Sequence, residues 1–251
     1  MKLLLEEMTR DEARDAFDAG AVVVLPTGSI EQHGHHLPLV VDTAAVTHVA
    51  RAAAELAARE VPIVVTPTMH FGVSHHHMEF AGTMSLSSLT YIQIVSELVR
   101  GLHRHGARKV VLVNGHGGNQ NPNGVVSQTI VHDEGLDIAV GSLSYWSVPI
   151  TRQDGTKGTV SPGHAGHFET SLMLALRPDL VQLEHRIAPV APLNSIEHGQ
   201  ENGAFARAGG TTDDASQADA EEGKRLLGEF TGALAEYLVK FHRQTRRHTS
   251  D

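Results

Sequence analysis

Short runs of consecutive apolar residues alternate along this chain with longer stretches in which apolar positions recur every three to four residues. Residues 21–26 (AVVVLP) are uninterrupted in their apolar character and stop at Pro-Thr-Gly, the pattern of a buried strand entering a loop. A second such run covers 61–66 (VPIVVT), a third runs from Lys109 to Asn114 into a glycine-rich turn, and a fourth covers 137–146 (DIAVGSLSYW). Between them, the Ala-rich segment 43–59 predicts a helix N-capped around Asp42 or Thr43. Further helices are predicted over 88–105, from Asn119 to Glu134, and over 166–176, the last stopped by Arg177-Pro178. Residues 151–163 read as a polar, Gly-rich loop and 188–214 as irregular. From 216 to about 243 the spacing predicts a long amphipathic helix, with a basic tail that frays over its last eight residues or so. Strands alternating with helices imply βαβ units, so the expected fold class is α/β: a single three-layer domain over residues 1–251, with a largely parallel sheet flanked by helices.

Composition narrows the function. Of 251 residues, 41% are hydrophobic and 20% charged, ordinary values for a packed domain. The net charge of −9 argues against a nucleic-acid partner. No apolar stretch approaches the roughly 18–20 residues that span a bilayer, so no membrane partner is expected. The N-terminus lacks the pattern of a signal peptide, which makes a cytoplasmic location the expectation. Cysteine is absent, which removes thiol nucleophiles and Cys-based metal sites. Histidine is abundant: 18 residues against 20 Lys plus Arg.

Those histidines fall where chemistry is expected. In open α/β sheets ligands bind beyond the carboxyl ends of the strands. After the first strand come Glu31, His33, His35, His36 and then Asp42. The loop after the second holds His70, His75, His76, His77 and Glu79. The third leads into Asn114-Gly-His116-Gly117-Gly118-Asn119, and Trp146, His164, His167 and Glu169 follow the fourth. Mixed imidazole and carboxylate donors suit zinc, manganese or iron. A carboxylate can bridge two ions, a role open to Asp42, and paired ions about 3.5–4 Å apart polarise a carbonyl and activate water. Each residue also has a plainer reading. Asp42 alone suits a helix N-cap, Glu169 complements a helix dipole, and the turn around His116 could cradle phosphate, although it lacks the Lys and Ser/Thr of a P-loop. A metal-buffering protein or a nucleotide-binding module are the non-enzyme alternatives.

The segments LPTGSIEQHGHHLPLVVD (25–42), FAGTMSL (80–86), HGARKVVLVNGHGGN (105–119) and GHAGHFETSLMLALRPDLV (163–181) together resemble the creatininase (creatinine amidohydrolase) family. The resemblance implies a dinuclear metal centre, two divalent ions per subunit (Zn2+ with Zn2+, Mn2+ or Fe2+), and hydrolysis of amide C–N bonds by a metal-activated hydroxide, often in a homohexamer. It implies Glu31 as a ligand of one metal, Asp42 as the bridge, and His33, His116 and Glu169 as ligands of the second. It further implies His164 as the catalytic acid/base and Trp146 as a substrate-binding residue. Apart from the resemblance, the loop at 70–80 is expected to shape the pocket, with His77 and Glu79 as substrate contacts, and Gly117 and Asn119 of the glycine-rich turn are expected as two more. Two positions depart from creatininase proper: Gly118 stands where it carries a metal-binding glutamate, and Val160 where it carries a second tryptophan. The expected substrate is a small amide, a creatinine-like lactam or a formamide. The GHGGN form also points to relatives that deformylate a formylaminopyrimidine nucleotide or trim the mycofactocin precursor peptide.

Overall fold

The computed structural model describes residues 2–153, 155–190 and 202–245. The chain begins with helix α1 (Arg10–Asp18), whose Thr9 and Glu12 form a reciprocal capping box. It continues through β1 (Val22–Thr27), α2 (Val41–Ala57), β2 (Ile63–Val65), α3 (Ser88–Arg104), β3 (Lys109–Asn114), α4 (Gln120–Gln128) and β4 (Ala139–Ser144). A short antiparallel pair, β5 (Ile150–Thr151) and β6 (Lys157–Gly158), precedes α5 (His167–Leu176), the single turn α6 (Ala204–Arg207) and the long α7 (Ala220–Gln244).

The four main strands are parallel and lie in the order β2-β1-β3-β4. Period-two alternation within fully apolar strands sends successive side chains to opposite faces. Val22 and Val24 of β1, with Val111 and Val113 of β3, pack against α2, α5 and α7. Their neighbours Val23, Leu25, Val110 and Leu112 pack against α3 and α4. The sheet is thus covered on both faces, as the sequence predicts, and each side chain buried there contributes about 1.5–3 kcal/mol from removal of apolar surface from water.

Several boundaries differ from the sequence expectation. Helix α2 starts earlier, with Val40 at its N-cap and no side-chain cap, so Asp42 is not a cap but a first-turn acid. The segment expected as one helix from Asn119 splits into a 3-10 turn (Gly117–Asn119), α4 and a π-turn (Thr129–Asp133). The expected loop 151–163 contains the β5–β6 pairing. Of the expected irregular stretch 188–214, residues 191–201 lie outside the described residues, as does the basic tail beyond residue 245. Helix α1 was not anticipated, although its capping box and the buried pair Ala16 and Phe17 are legible signals.

Because β1 is followed by β2 on one side and β3 lies on the other, the connections leaving β1 and β3 part on opposite sides of the sheet. That divergence opens a crevice at their carboxyl ends.

Candidate metal centre

Local packing brings the third-strand turn onto the first turn of α2. A Cβ at Gly115 would stand 2.6 Å from Val46 Cβ and 2.8 Å from the Asp42 carbonyl oxygen, so only glycine permits this approach. Asn114 then clips the turn in place: its Oδ1 accepts from the His116 backbone N–H (3.0 Å) and its Nδ2 donates to the His116 carbonyl (2.7 Å). His116 is thereby held beside Asp42.

Two buried groups of donors result, and Asp42 belongs to both. Its Oδ1 lies 3.2 Å from His33 Nε2, which is also 3.6 Å from Glu169 Oε2. Its Oδ2 lies 2.9 Å from His116 Nδ1, which is 3.2 Å from Glu31 Oε2. The family resemblance implies His33, His116 and Glu169 together on one ion. The geometry groups them differently: His116 stands with Glu31, and His33 with Glu169, because His116 leaves β3 on the Glu31 side of Asp42.

The tautomers are set by the outer nitrogens. His33 Nδ1 donates to the Glu31 carbonyl (3.1 Å), and His116 Nε2 donates to the Val73 carbonyl (3.0 Å). Each imidazole therefore turns its other nitrogen toward the carboxylates, the orientation that backbone carbonyls impose on metal-binding histidines. Glu31 Oε2 and Asp42 Oδ2 are buried without a hydrogen bond, since their approach to His116 Nδ1 lacks hydrogen-bond geometry. Glu31, His33 and Asp42 each offer an atom within 4.8 Å of the other two, as do His33, His164 and Glu169, a spacing close to what a shared cation requires. The second oxygen pair is steadied from behind: Glu169 Oε2 accepts from the Ala165 N–H (2.6 Å), with Ala165 held in the left-handed region at φ 55°. That conformation costs a non-glycine residue about 1–2 kcal/mol.

Electrostatics gives the same answer. Glu31, Asp42 and Glu169 are 1%, 4% and 7% exposed, and among the described residues their ion-pair partners are all imidazoles. Burial works against a charged imidazole, yet Glu169 and Asp42 hold the His33 pKa well above the usual range, and Glu31 and Asp42 do the same for His116. Burial pushes the Glu31 carboxyl up, but His116, His77 and His33 bring it well below the ordinary value. For Glu169 burial wins and the pKa is raised. The carboxylates thus demand positive charge between them, supplied by protons or by metal ions. With Glu31 and Asp42 facing it, the His116 turn is set to meet a cation and not to cradle phosphate through its backbone amides.

Around this centre runs an arc of imidazoles. His164 stacks within 4.4 Å of His33 and 4.3 Å of His77, and His76 lies 4.3 Å from His77 and 5.6 Å from His116, ring centroid to centroid. His164 Nε2 donates to the Gln32 carbonyl (2.9 Å), leaving Nδ1 to face the cavity, 3.9 Å from Glu31 Oε1. Burial first, and His33 next, push its pKa down to about 3.

The cavity above the carboxylates measures about 100 Å3, and Trp146, Gly117, Pro162 and Phe205 help to wall it. Trp146, Gly117 and His77 therefore stand where the sequence suggests. Two expected substrate contacts do not. Glu79 is exposed and outside the cavity lining. Asn119 is fully buried, its amide spent on backbone: Oδ1 accepts from the Val73 N–H (2.9 Å) and Nδ2 donates to the Gly28 carbonyl (2.9 Å). Val160 packs against the core behind the site instead of lining it. His70, His75 and His35 are exposed, and His36 is buried away from the cavity against Thr170 (2.9 Å). Two contributors escaped the sequence reading. Gln32 hydrogen-bonds within the imidazole arc but is an unremarked polar residue inside a motif, and Phe205 sits in a segment with no motif at all.

A parallel α/β sheet with a carboxylate between two imidazole–carboxylate groups at its carboxyl edge defines a metal-dependent hydrolase centre. Comparison with known proteins gives that class its family. The creatininase family (creatinine amidohydrolase) matches residues 6–238, and the chain belongs to that family of metal-dependent amidohydrolases, which act on carbon–nitrogen bonds. It is 34% identical to creatinine amidohydrolase of Pseudomonas putida, over 92% of this chain and 94% of that one. It is 37% identical to mycofactocin precursor peptide peptidase of Mycobacterium tuberculosis, over 82% and 79% respectively. Among solved structures, a glutamate-to-glutamine variant of creatininase of Zn–Zn type superposes with a TM-score of 0.80 at 30% identity, covering 96% of this chain and 98% of that one. A manganese creatininase superposes at 0.78 with 28% identity, over 96% and 98%.

Proposed function

We propose that this chain hydrolyses a small amide, either a cyclic amide of the creatinine type or a formamide. The observation that carries this reading is the small size of the cavity, about 100 Å3, lined beside the carboxylates by Trp146, Pro162 and Phe205. Pockets for drug-sized ligands run to roughly 300–1,000 Å3, and a peptide would need an open groove on both sides of the scissile bond.

In this reading Glu31, His116 and Asp42 hold one divalent ion, and His33, Glu169 and Asp42 hold the other. The mixed N and O donors suit Zn2+ paired with Zn2+, Mn2+ or Fe2+. When bound, such a pair polarises the amide carbonyl and makes water nucleophilic near neutral pH. The protein's own groups do the rest. His164, neutral at physiological pH, accepts at Nδ1 the proton that water loses as its oxygen bonds to the carbonyl carbon. The low basicity that burial gives this imidazole makes its protonated form a ready donor. The same proton passes to the amide nitrogen as the C–N bond breaks, so the leaving group departs as a neutral amine. Trp146 and Gly117 position the substrate, and His77 steadies Glu31 from 3.4 Å. A homo-oligomer, a hexamer by family resemblance, and a cytoplasmic location belong to the same proposal; among the described residues no helix is long and apolar enough to cross a membrane.

A screen of cyclic ureas, lactams, formamides and short peptides, with and without chelator, tests this. The expected result is chelator-sensitive turnover confined to the small amides. Turnover of peptides alone would replace this reading with the peptidase one that the 37% identical relative suggests.

A further inference from the structure

We infer that His76 is a metal ligand, completing the donor set on the Glu31–His116 side of the centre; this rests on the metal-centre reading above. Glu31, His76 and His116 each offer an atom within 4.8 Å of the other two. Donors at about 2.0–2.2 Å from one ion stand up to about 4.4 Å apart, so at most a small closing movement separates the three from a shared cation. Asp42 Oδ2, 2.9 Å from His116 Nδ1, adds a fourth donor.

The backbone explains why the ligand comes from this loop. The Val73 carbonyl accepts from His116 Nε2 and occupies the space above Gly118. A Cβ at 118 would collide with that carbonyl and stand 2.6 Å from His116 Nε2, so no side chain can reach the ion from there. The segment that closes position 118 is the one that carries His76 in. It is pinned on three sides: Val73 N–H to Asn119 Oδ1 (2.9 Å), Ser74 N–H to Ser85 Oγ (2.8 Å), and Ser74 Oγ to Ser29 Oγ (2.5 Å). The His76 ring then lies nearly parallel to that of His116, 5° between planes.

Its neighbour His77 is a poorer ligand despite being closer to Glu31. Its Nδ1 accepts from Gln32 Nε2 (2.9 Å), which leaves the hydrogen on Nε2, pointed at Glu31 Oε1. With its hydrogen there, that nitrogen has no lone pair for a cation. His76, among the described residues, makes ring contacts with His77, His116 and Phe205 and no side-chain hydrogen bond, so a ring nitrogen is available.

The test is metal binding by the full chain after chelator stripping, read by Zn2+ titration against a chromophoric chelator and by the visible absorption of the Co2+ form. The wild-type chain should take two ions. His76→Ala should weaken one of them about 100-fold or more and change the Co2+ bands, leaving the other unaltered. His77→Ala should keep both, and His76→Glu, which restores a donor, should recover the weakened ion. Two ions bound by His76→Ala with wild-type affinity and spectrum would overturn the assignment alone. So would equal loss in His76→Ala and His76→Glu accompanied by a lower melting temperature of the cation-free chain, which marks a packing role. A wild-type chain that binds no ion would overturn the metal-centre reading and this inference with it.

Discussion

The apolar layer around Phe230 and the polar cluster around Asp42 are almost equally withdrawn from water, yet they are buried for opposite physical reasons. Phe230, Leu234 and Leu238 are fully buried among the side chains of α2, α5 and Tyr145, where removal from water is itself favourable. Glu31, Asp42 and Glu169 are buried against that tendency, since a carboxylate taken out of water is costly unless paired. The apolar layer adds to the stability of the fold, whereas the polar cluster costs stability and holds charged groups ready for binding. One region needs only close packing; the other needs positive charge between its carboxylates.

Substitutions can break that contrast. The largest effect is expected from His116→Ala, which should abolish amide hydrolysis and lower the metal content per chain, measured by mass spectrometry of the purified protein, while the fold survives. Full activity in this variant would sink the metal-centre reading. Next, His164→Ala should lose about 10²–10⁴-fold in kcat yet retain its metal, since this residue is assigned to moving a proton; a metal-free His164→Ala protein would reverse that assignment. Phe230→Ala should cost about 3–5 kcal/mol in denaturant unfolding, with metal stoichiometry unchanged in the fraction that remains folded.

The smallest effect concerns pH and has opposite signs in the two states of the protein. In the cation-free chain His33 and His116 have raised pKa values, so their contribution to stability is full below the unfolded value near 6.5 and is lost as pH rises through the folded values. The imidazoles with lowered values, His164 and His77 among them, complete their change below that window and do not oppose it. The stripped chain should therefore melt at a lower temperature at pH 9 than at pH 7. The loaded chain should instead lose metal, and stability, as pH falls and protons compete for the same lone pairs. Parallel melting curves with and without chelator would check this, and identical pH trends would refute it.

Much of the fold is legible in the amino-acid sequence. The apolar runs around Val23 and Val111 marked the strands, because a strand buried on both faces has no polar alternation to confuse it. Helix α1 is hard to read because it buries only Ala16 and Phe17, so its clearest signal is the Thr9 and Glu12 capping box and not apolar periodicity. Taken alone, Asp42 reads better as a cap than as a ligand; the fold starts α2 at Val41, which removes the cap role, and sets the carboxylate against His33 and His116. Asn119 and Glu79 are expected substrate contacts by sequence, but one faces backbone and the other solvent. Phe205 carried no signal, since a lone aromatic residue in an irregular stretch reads equally well as core or surface.

The strands, their alternation with helices and the residue types able to meet a cation follow from the amino-acid order, because apolar periodicity and side-chain chemistry are local properties. Tertiary structure alone decided which donors face each other: that His116 stands with Glu31 and His33 with Glu169, that Asp42 faces both, and that His76 enters where position 118 is closed. Those facts depend on distances between segments remote along the chain, set by how α2 packs on β3 and how the loop after β2 folds back over it, and no local pattern encodes them.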